Sequence, residues 1–316
     1  MSKKDSSCAF RTSIGGQALI EGILMRGPDK QAIVCRKANG ELSIQESELK
    51  LIKDKHPILG WPFVRGVVTF LDSLVKGMQA VTWSAEQQPE ELQEEPGKFD
   101  LWLEKKLGTE KAEKIVFGIA IFLGIALAVG LFFFLPTLLT GLMDGFLKSR
   151  LLRNLVEGVM RILIFLLYLW AVTRMKDIRR MFSYHGAEHK TIHCYERGLE
   201  LTVENVRTMP KEHPRCGTSF LFVVMIVSIF VLMFVTWTTP LLRLLIRLCL
   251  LPIIVAISYE INRWVGRHDN VLSTILAWPG RQLQHLTTYE PDDGMIECAI
   301  EALKRVIPEE TGKDEW

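Results

Sequence analysis

The sequence predicts a mostly α membrane protein with about four transmembrane helices, a small N-terminal β-rich module and juxtamembrane amphipathic helices. Three observations carry this reading. Hydrophobic residues make up 48% of the 316, and they collect in runs too long for soluble core helices, so the bilayer acts as solvent for part of the chain. Lys37-Ala38-Asn39-Gly40 separates two short strand-like runs and carries the Asn-Gly pair favoured in tight hairpins. Two other stretches, 61–83 and 294–306, place apolar residues at helical spacing along one side.

Taken in order, residues 1–60 form the β-rich module, placed in the cytoplasm. No apolar stretch follows the first lysines, so no signal peptide is expected. The strand-like runs are 31–36 and 41–45. Before them, Ser13-Ile14-Gly15-Gly16-Gln17 continues to Met25-Arg26-Gly27-Pro28, a glycine density that suggests tight turns or close backbone approach. It matches no phosphate-binding loop. Residues 61–84 form an amphipathic helix, with Val64, Val67, Leu71, Leu74 and Met78 on one side and Arg65, Asp72 and Lys76 on the other. Such a helix packs on a core or lies in the membrane interface, and the neighbouring spans favour the interface. An acidic linker and a charged helix occupy 85–114.

Transmembrane helices follow at 115–139 and 156–173, then at 219 to about 237 and from there to about 259. Arg174, Lys176, Arg179 and Arg180 follow the second span, whereas the turn at 238–240 is uncharged. The positive-inside rule then puts 174–218 in the cytoplasm and, with four spans, both termini there too, although Lys148, Arg150 and Arg153 fall on the other side. Residues 261–316 are a cytoplasmic segment ending in the second amphipathic helix, with Asp292 or Asp293 as its N-cap. The net charge of +2 gives no argument for nucleic acid. Six scattered cysteines show no disulfide framework.

The chemistry concentrates in 174–218. His185-Gly186-Ala187-Glu188-His189 sets two imidazoles one helical turn apart with a carboxylate between them. Neutral imidazoles at that spacing share a divalent metal, and the carboxylate can take a proton from water beside it. The same order, His-x-x-Glu-His, is the inverzincin signature of zinc hydrolases. The plain alternative is a polar helix face touching solvent. Further ligand types favour the metal: His193 one turn on, then Cys194, Glu196, and the pair in His213-Pro214-Arg215-Cys216. The third ligand is open among His193, His213, Cys216 and Glu260. Glu260 has a competing reading as a carboxylate paired with Arg263 or Arg267. His213 and Cys216 together would close the sphere and make the metal structural.

Charges also fall inside the spans. Glu157 and Arg161 are one turn apart, as are Arg243 and Arg247. A charge at that depth costs at least ~2.5 kcal/mol, so it pairs, snorkels or faces a wet cavity. A Glu157 pair with Arg161 or Arg247 would be a structural clamp; a polar path through the same residues would make a small transporter.

Five blocks together, Gly15-Gly16-Gln17-Ala18 through Gly27, Trp61-Pro62 with Arg65-Gly66, His185 to Lys190, His213 to Thr218, and Glu290-Pro291-Asp292-Asp293, resemble the YqhQ-type bacterial membrane-protein family. The resemblance spans residues 13 to 305. It implies a multi-pass protein of the cell inner membrane, and it marks His185, Glu188, His189, His213 and Cys216. That family is a domain of unknown function, often labelled a predicted metal-dependent enzyme, so it supplies no reaction. The residues themselves support one divalent metal, zinc by preference, on His185 and His189. Glu188 would be the general base of a hydrolase acting on a peptide, amide or protein partner at the cytoplasmic face. A scaffold or assembly factor with a structural metal is the non-enzymatic counterpart.

Overall fold

The computed structural model describes residues 10–49, 57–88, 97, 102, 105–106, 108–143, 145–146, 149–234, 240–268, 270–310 and 312–315. Most of the expected acidic linker (89–96) and the turn residues Thr238 and Thr239 lie outside them. Four strands, β1 (Gly15–Leu19), β2 (Gly22–Arg26), β3 (Lys30–Arg36) and β4 (Leu42–Glu48), form one antiparallel meander in the order β1-β2-β3-β4. The helices in chain order are α1 (Val64–Glu86), α2 (Thr109–Val129), α3 (Leu135–Leu142), α4 (Arg150–Val172), α5 (Lys176–Glu196), α6 (Val203–Arg207), α7 (Gly217–Leu232), α8 (Pro240–Arg267), α9 (Val271–Thr287) and α10 (Asp293–Val306). The chain divides into two units: residues 1–88, 169–227 and 251–316 in the first, 89–168 and 228–250 in the second.

In the first unit the two middle strands are covered on both faces, which explains the nearly continuous apolar runs of β2 and β3, whereas β4 at the edge is mostly exposed. Ile23, Met25, Ala32 and Val34 meet Tyr184 and Ala187 of α5 and Ile296, Ala299 and Leu303 of α10. Leu24, Ile33 and Cys35 point the other way, toward Ala80 of α1. The expected hairpin joins β3 to β4, with Gly40 at φ +88°. Asp292 caps α10, its carboxylate accepting from the Met295 N–H at 2.9 Å. The described cysteines are free thiols. Two helices pack through small residues and leave their large apolar side chains exposed. In α1 the buried positions are Gly66, Gly77, Ala80 and Ser84, while Leu71, Leu74 and Val75 are open. In α9 the buried positions include Ala277, Gly280 and Gln284, while Val271, Leu272, Ile275 and Trp278 are open.

Among the described residues, three helical stretches are long and apolar enough to cross a membrane: Ile115–Leu142, Leu151–Val172 and Leu244–Arg267. The stretch expected as the third of four spans is α7, apolar throughout but only 16 residues long. At ~1.5 Å per residue it reaches about 24 Å, against about 30 Å of hydrocarbon.

The second unit holds the buried charges. Pro136 has no N–H and its ring crowds the carbonyl four residues back, that of Phe132, inside a π-helical stretch at Gly130–Phe134. Arg161 takes up the freed carbonyl, donating from Nε at 2.9 Å. Arg247 pairs with both oxygens of Glu157, and Thr137 accepts from Arg247 at 2.7 Å while donating to Glu157 at 2.8 Å. Arg161 stands 3.6 Å from the same carboxylate. Glu157 and Arg247 are each 1% exposed. The geometry is that of a clamp.

Candidate metal centre

His185, His189 and His193 stand one turn apart along α5, and Glu196 follows on the next turn. The helix is buried from Gly186 to Cys194 because the sheet and α10 cover it. Gly186 is required by close approach: a side-chain carbon there would run into the backbone carbonyl of Tyr289. The Tyr289 N–H in turn bonds the Phe182 carbonyl at 3.0 Å, which lays the 287–291 segment along α5.

Backbone carbonyls fix the imidazoles. His185 Nδ1 lies 2.8 Å from the Thr287 oxygen, His189 Nδ1 2.5 Å from the Lys211 oxygen, and His193 Nε2 2.9 Å from the Glu212 oxygen. A carbonyl only accepts, so each of these nitrogens carries a proton, and in the neutral ring the opposite nitrogen presents a lone pair. Metal-ligating histidines are held this way, with the outer N–H on a carbonyl or carboxylate. His185 Nε2 lies 3.1 Å from Cys216 Sγ, whereas His189 Nε2 is buried with no hydrogen-bond partner. Ligand atoms of His185, His189 and Cys216 all lie within 4.8 Å of one another.

Glu188 stands beside this trio. Its Oε1 accepts from the Gly16 N–H of β1 at 2.9 Å, and its Oε2 is buried without a partner. The contact needs a glycine, because a side-chain carbon on Gly16 would sit 3.0 Å from Glu188 Cδ and 2.6 Å from the Leu24 carbonyl oxygen. The glycine density noted in the sequence marked this approach without naming its target. The three backbone carbonyls have no sequence signature.

Burial raises the Glu188 carboxyl above the usual carboxylate range. Burial alone would lower His185, but the neighbouring Cys216 charge and hydrogen bond outweigh it and raise the imidazole to about 9. Burial alone would raise the Cys216 thiol; the His185 and His189 rings outweigh that and hold it well below the ordinary thiol value. His213 is lowered, first by burial and then by His193 and His189.

Of the six residues expected as possible ligands, the structure brings three together. Glu260 is elsewhere: both its oxygens are taken by Arg65, at 2.7 Å and 2.5 Å, and the Phe63 N–H adds a contact at 3.2 Å. The competing ion-pair reading fits, with Arg65 in place of Arg263 or Arg267. Arg65 reaches Glu260 because α1 and α8 approach closely at Gly66, where a side-chain carbon would lie 2.7 Å from Tyr259 Cβ. His193 and His213 do not join the trio either; they gather with Glu196 in a second group. The His213-Pro214-Arg215-Cys216 block is therefore split, one end to each group.

The site draws on three of the five sequence blocks, those at Gly16, His185 to Lys190 and His213 to Thr218, and the comparisons with known proteins extend over most of the chain. Residues 61–309 match the family described as "Protein of unknown function (DUF1385)". The chain belongs to this family. It is 30% identical over 308 residues to the Uncharacterized protein YqhQ of Bacillus subtilis (strain 168), an alignment covering 93% of this chain and 92% of that one. No solved structure matches the chain. The expected kinship therefore holds. The family brings no reaction with it, and the chemistry rests on the residues above.

Proposed function

We propose that this family member is a membrane-bound, zinc-dependent hydrolase whose metal is held by His185, His189 and Cys216, with Glu188 as general base. One observation carries the reading: a buried imidazole lone pair on His189 and a buried carboxylate oxygen on Glu188, neither with a hydrogen-bond partner, beside a Cys–His pair. Lone pairs that converge without donors are costly, about 1–3 kcal/mol each, unless a cation or a water satisfies them. Two nitrogens and a thiolate suit zinc, and three protein ligands leave a position open, the pattern of catalytic rather than structural sites.

Zinc, when bound, supplies Lewis acidity and makes nearby water easier to deprotonate. The chain supplies the rest. The Gly16 N–H holds one Glu188 oxygen so that the other is free to take a proton, and a carboxyl raised by burial is better matched to that task than an ordinary one. The Thr287 and Lys211 carbonyls keep both imidazoles in the ligating tautomer. The order His-x-x-Glu-His suggests peptide or amide substrates, by analogy of motif only. The charge bias around the spans favours the cytoplasmic face of the inner membrane.

Zinc content of the purified protein tests the reading. His185→Ala, His189→Ala and Cys216→Ala should each lose this zinc, while Glu188→Gln should keep it and lose turnover. Equal zinc in wild type and all three ligand variants would sink the proposal. A second reading rests on the 3.1 Å Cys216–His185 contact at the start of α7: Cys216 as a nucleophile with His185 as its base. Iodoacetamide separates the two, since zinc should protect Cys216 if it is a ligand and leave its alkylation unchanged if it is not.

A further inference from the structure

We propose that the chain binds a second divalent cation, separate from the first, between His193, Glu196 and His213. The ligand atoms of these three residues lie within 4.8 Å of one another, and all three are buried. His193 is 9% exposed. Its Nε2 faces the Glu212 carbonyl at 2.9 Å, which leaves Nδ1 as a lone pair, and that atom is buried with no partner.

Glu196 is oriented as Glu188 is. Its Oε1 accepts from a backbone N–H of the N-terminal segment, that of Thr12 at 2.9 Å, and from the Arg215 guanidinium. Because His213 Nδ1 accepts from the Arg215 N–H at 3.3 Å, His213 Nε2 carries a proton, which a bound cation would displace. Among the described residues the Glu196 Oε2 meets only that Nε2, at 3.4 Å. That separation is long for a hydrogen bond to a carboxylate, but it equals the spacing of two ligands on a tetrahedral metal, about 3.4 Å for metal–ligand distances of ~2.1 Å. Among the described residues, Arg215 is the one cation paired with the group. It occupies the oxygen turned away from His213 and balances the carboxylate in the metal-free chain, as an arginine pairing with a ligating carboxylate can do.

The sequence spacing accounts for two sites side by side. Positions 185, 189, 193 and 196 make one stripe along α5, each a turn from the next. The stripe is longer than one metal can use. The loop opposite it supplies Cys216 at one end and His213 at the other, and the His189 and His213 rings stand 5.7 Å apart between the two groups. Two imidazoles and a carboxylate suit zinc, cobalt or another first-row divalent ion, without the thiolate preference of the first site.

The inference does not rest on the first site being catalytic, and the test keeps the two apart. The full chain in detergent, stripped with chelator, is titrated with cobalt(II). The expected result is two equivalents bound, one with a thiolate-to-cobalt charge-transfer band and one without. His193→Ala combined with Glu196→Gln should remove the equivalent that lacks the band, and Cys216→Ala should remove the band together with its own equivalent and leave the other bound. Saturation of the wild-type chain at one equivalent, with the full band, would overturn the second site and leave the first standing. One equivalent with no band would support the second site and sink the first. Because the wild-type titration decides by itself, a variant that fails to fold leaves the proposal open to refutation.

Discussion

Two regions of this molecule bury ionisable groups, and they do so in opposite ways. In the second unit, Glu157 meets two arginines, and both its oxygens have donors. Along α5 of the first unit, the unpartnered atoms are acceptors: His189 Nε2, Glu188 Oε2 and His193 Nδ1. In the clamp the carboxylate is satisfied, and the atom left over is a donor, Arg247 Nε. Lone pairs brought together ask for a cation. A buried carboxylate thus points to a clamp beside arginines and to metal binding beside imidazoles, and the difference lies in which atoms lack partners.

The comparison makes its strongest claim about the clamp. Arg247→Leu leaves Glu157 buried with only the more distant Arg161, and removing one partner of a buried pair costs about 3–5 kcal/mol. Folded yield and melting temperature in detergent should fall sharply, while the zinc content of the protein that does fold stays at the wild-type value. A stable Arg247→Leu chain would show that the cluster is not a clamp, and altered ion flux in proteoliposomes would return it to the transporter reading.

Next in size is Gly16→Ala. The added carbon would lie 2.6 Å from the Leu24 carbonyl oxygen and 3.0 Å from Glu188 Cδ. Overpacking of this kind costs about 1–3 kcal/mol. A thermal melt should register that loss, and zinc should be retained because Glu188 is not among the ligands. Loss of zinc along with stability would make Glu188 a ligand and blur the division of labour drawn for the site.

A smaller effect follows from the His185–Cys216 pair in the metal-free chain. His185 is raised from 6.5 to about 9, so its share of the stability is complete below 6.5 and lost as pH rises through about 9. Cys216 is held well below 9.0, so its share is complete above 9.0 and lost as pH falls through the lowered value. Between those limits the folded pair and the unfolded chain each hold one proton, and the pH slopes of the two shares cancel. Below 6.5 the unfolded chain takes a second proton that the folded pair refuses. The chelated protein should therefore lose up to about 1.4 kcal/mol per pH unit on acidification and stay level near neutrality. His185→Gln, which removes the group that takes up this proton on unfolding, should flatten the acid limb; an unchanged limb would place its origin in other groups.

How much of this was legible in the sequence follows from which forces set it. The Asn39-Gly40 turn, the apolar runs, the α10 helix and its Asp292 cap depend on local geometry and burial, and local pattern announces them. The α5 stripe was legible as well, because helical period alone aligns His185, His189 and His193. Two things were not. The division of His213 from Cys216 depends on how a loop lies against a helix, and nothing in His-Pro-Arg-Cys fixes that. The other is the packing of α9 through Ala277, Gly280 and Gln284 with Val271, Leu272, Ile275 and Trp278 left open, because which face a helix buries is set by its neighbours. Glu260 misled for a physical reason: its partner Arg65 is 195 positions away in sequence, beyond the reach of any spacing argument.

That residue also gives the smallest and most discriminating test. Arg65 and Glu260 form a two-pronged pair like Glu157 and Arg247, yet their side chains are 26% and 21% exposed. A pair that keeps contact with its surroundings loses less on desolvation and gains less on pairing, so it contributes about 0–1 kcal/mol. Glu260→Gln should therefore shift the melting temperature only slightly and leave zinc content untouched, because the carboxylate is committed to Arg65 and stands outside both ligand groups. A fall in zinc would return Glu260 to the metal and undo the separation between paired charges and converging lone pairs. A large loss of stability with zinc retained would show instead that exposure is a poor guide to the worth of an ion pair in this chain, and the Arg247 result would then have to be read against it.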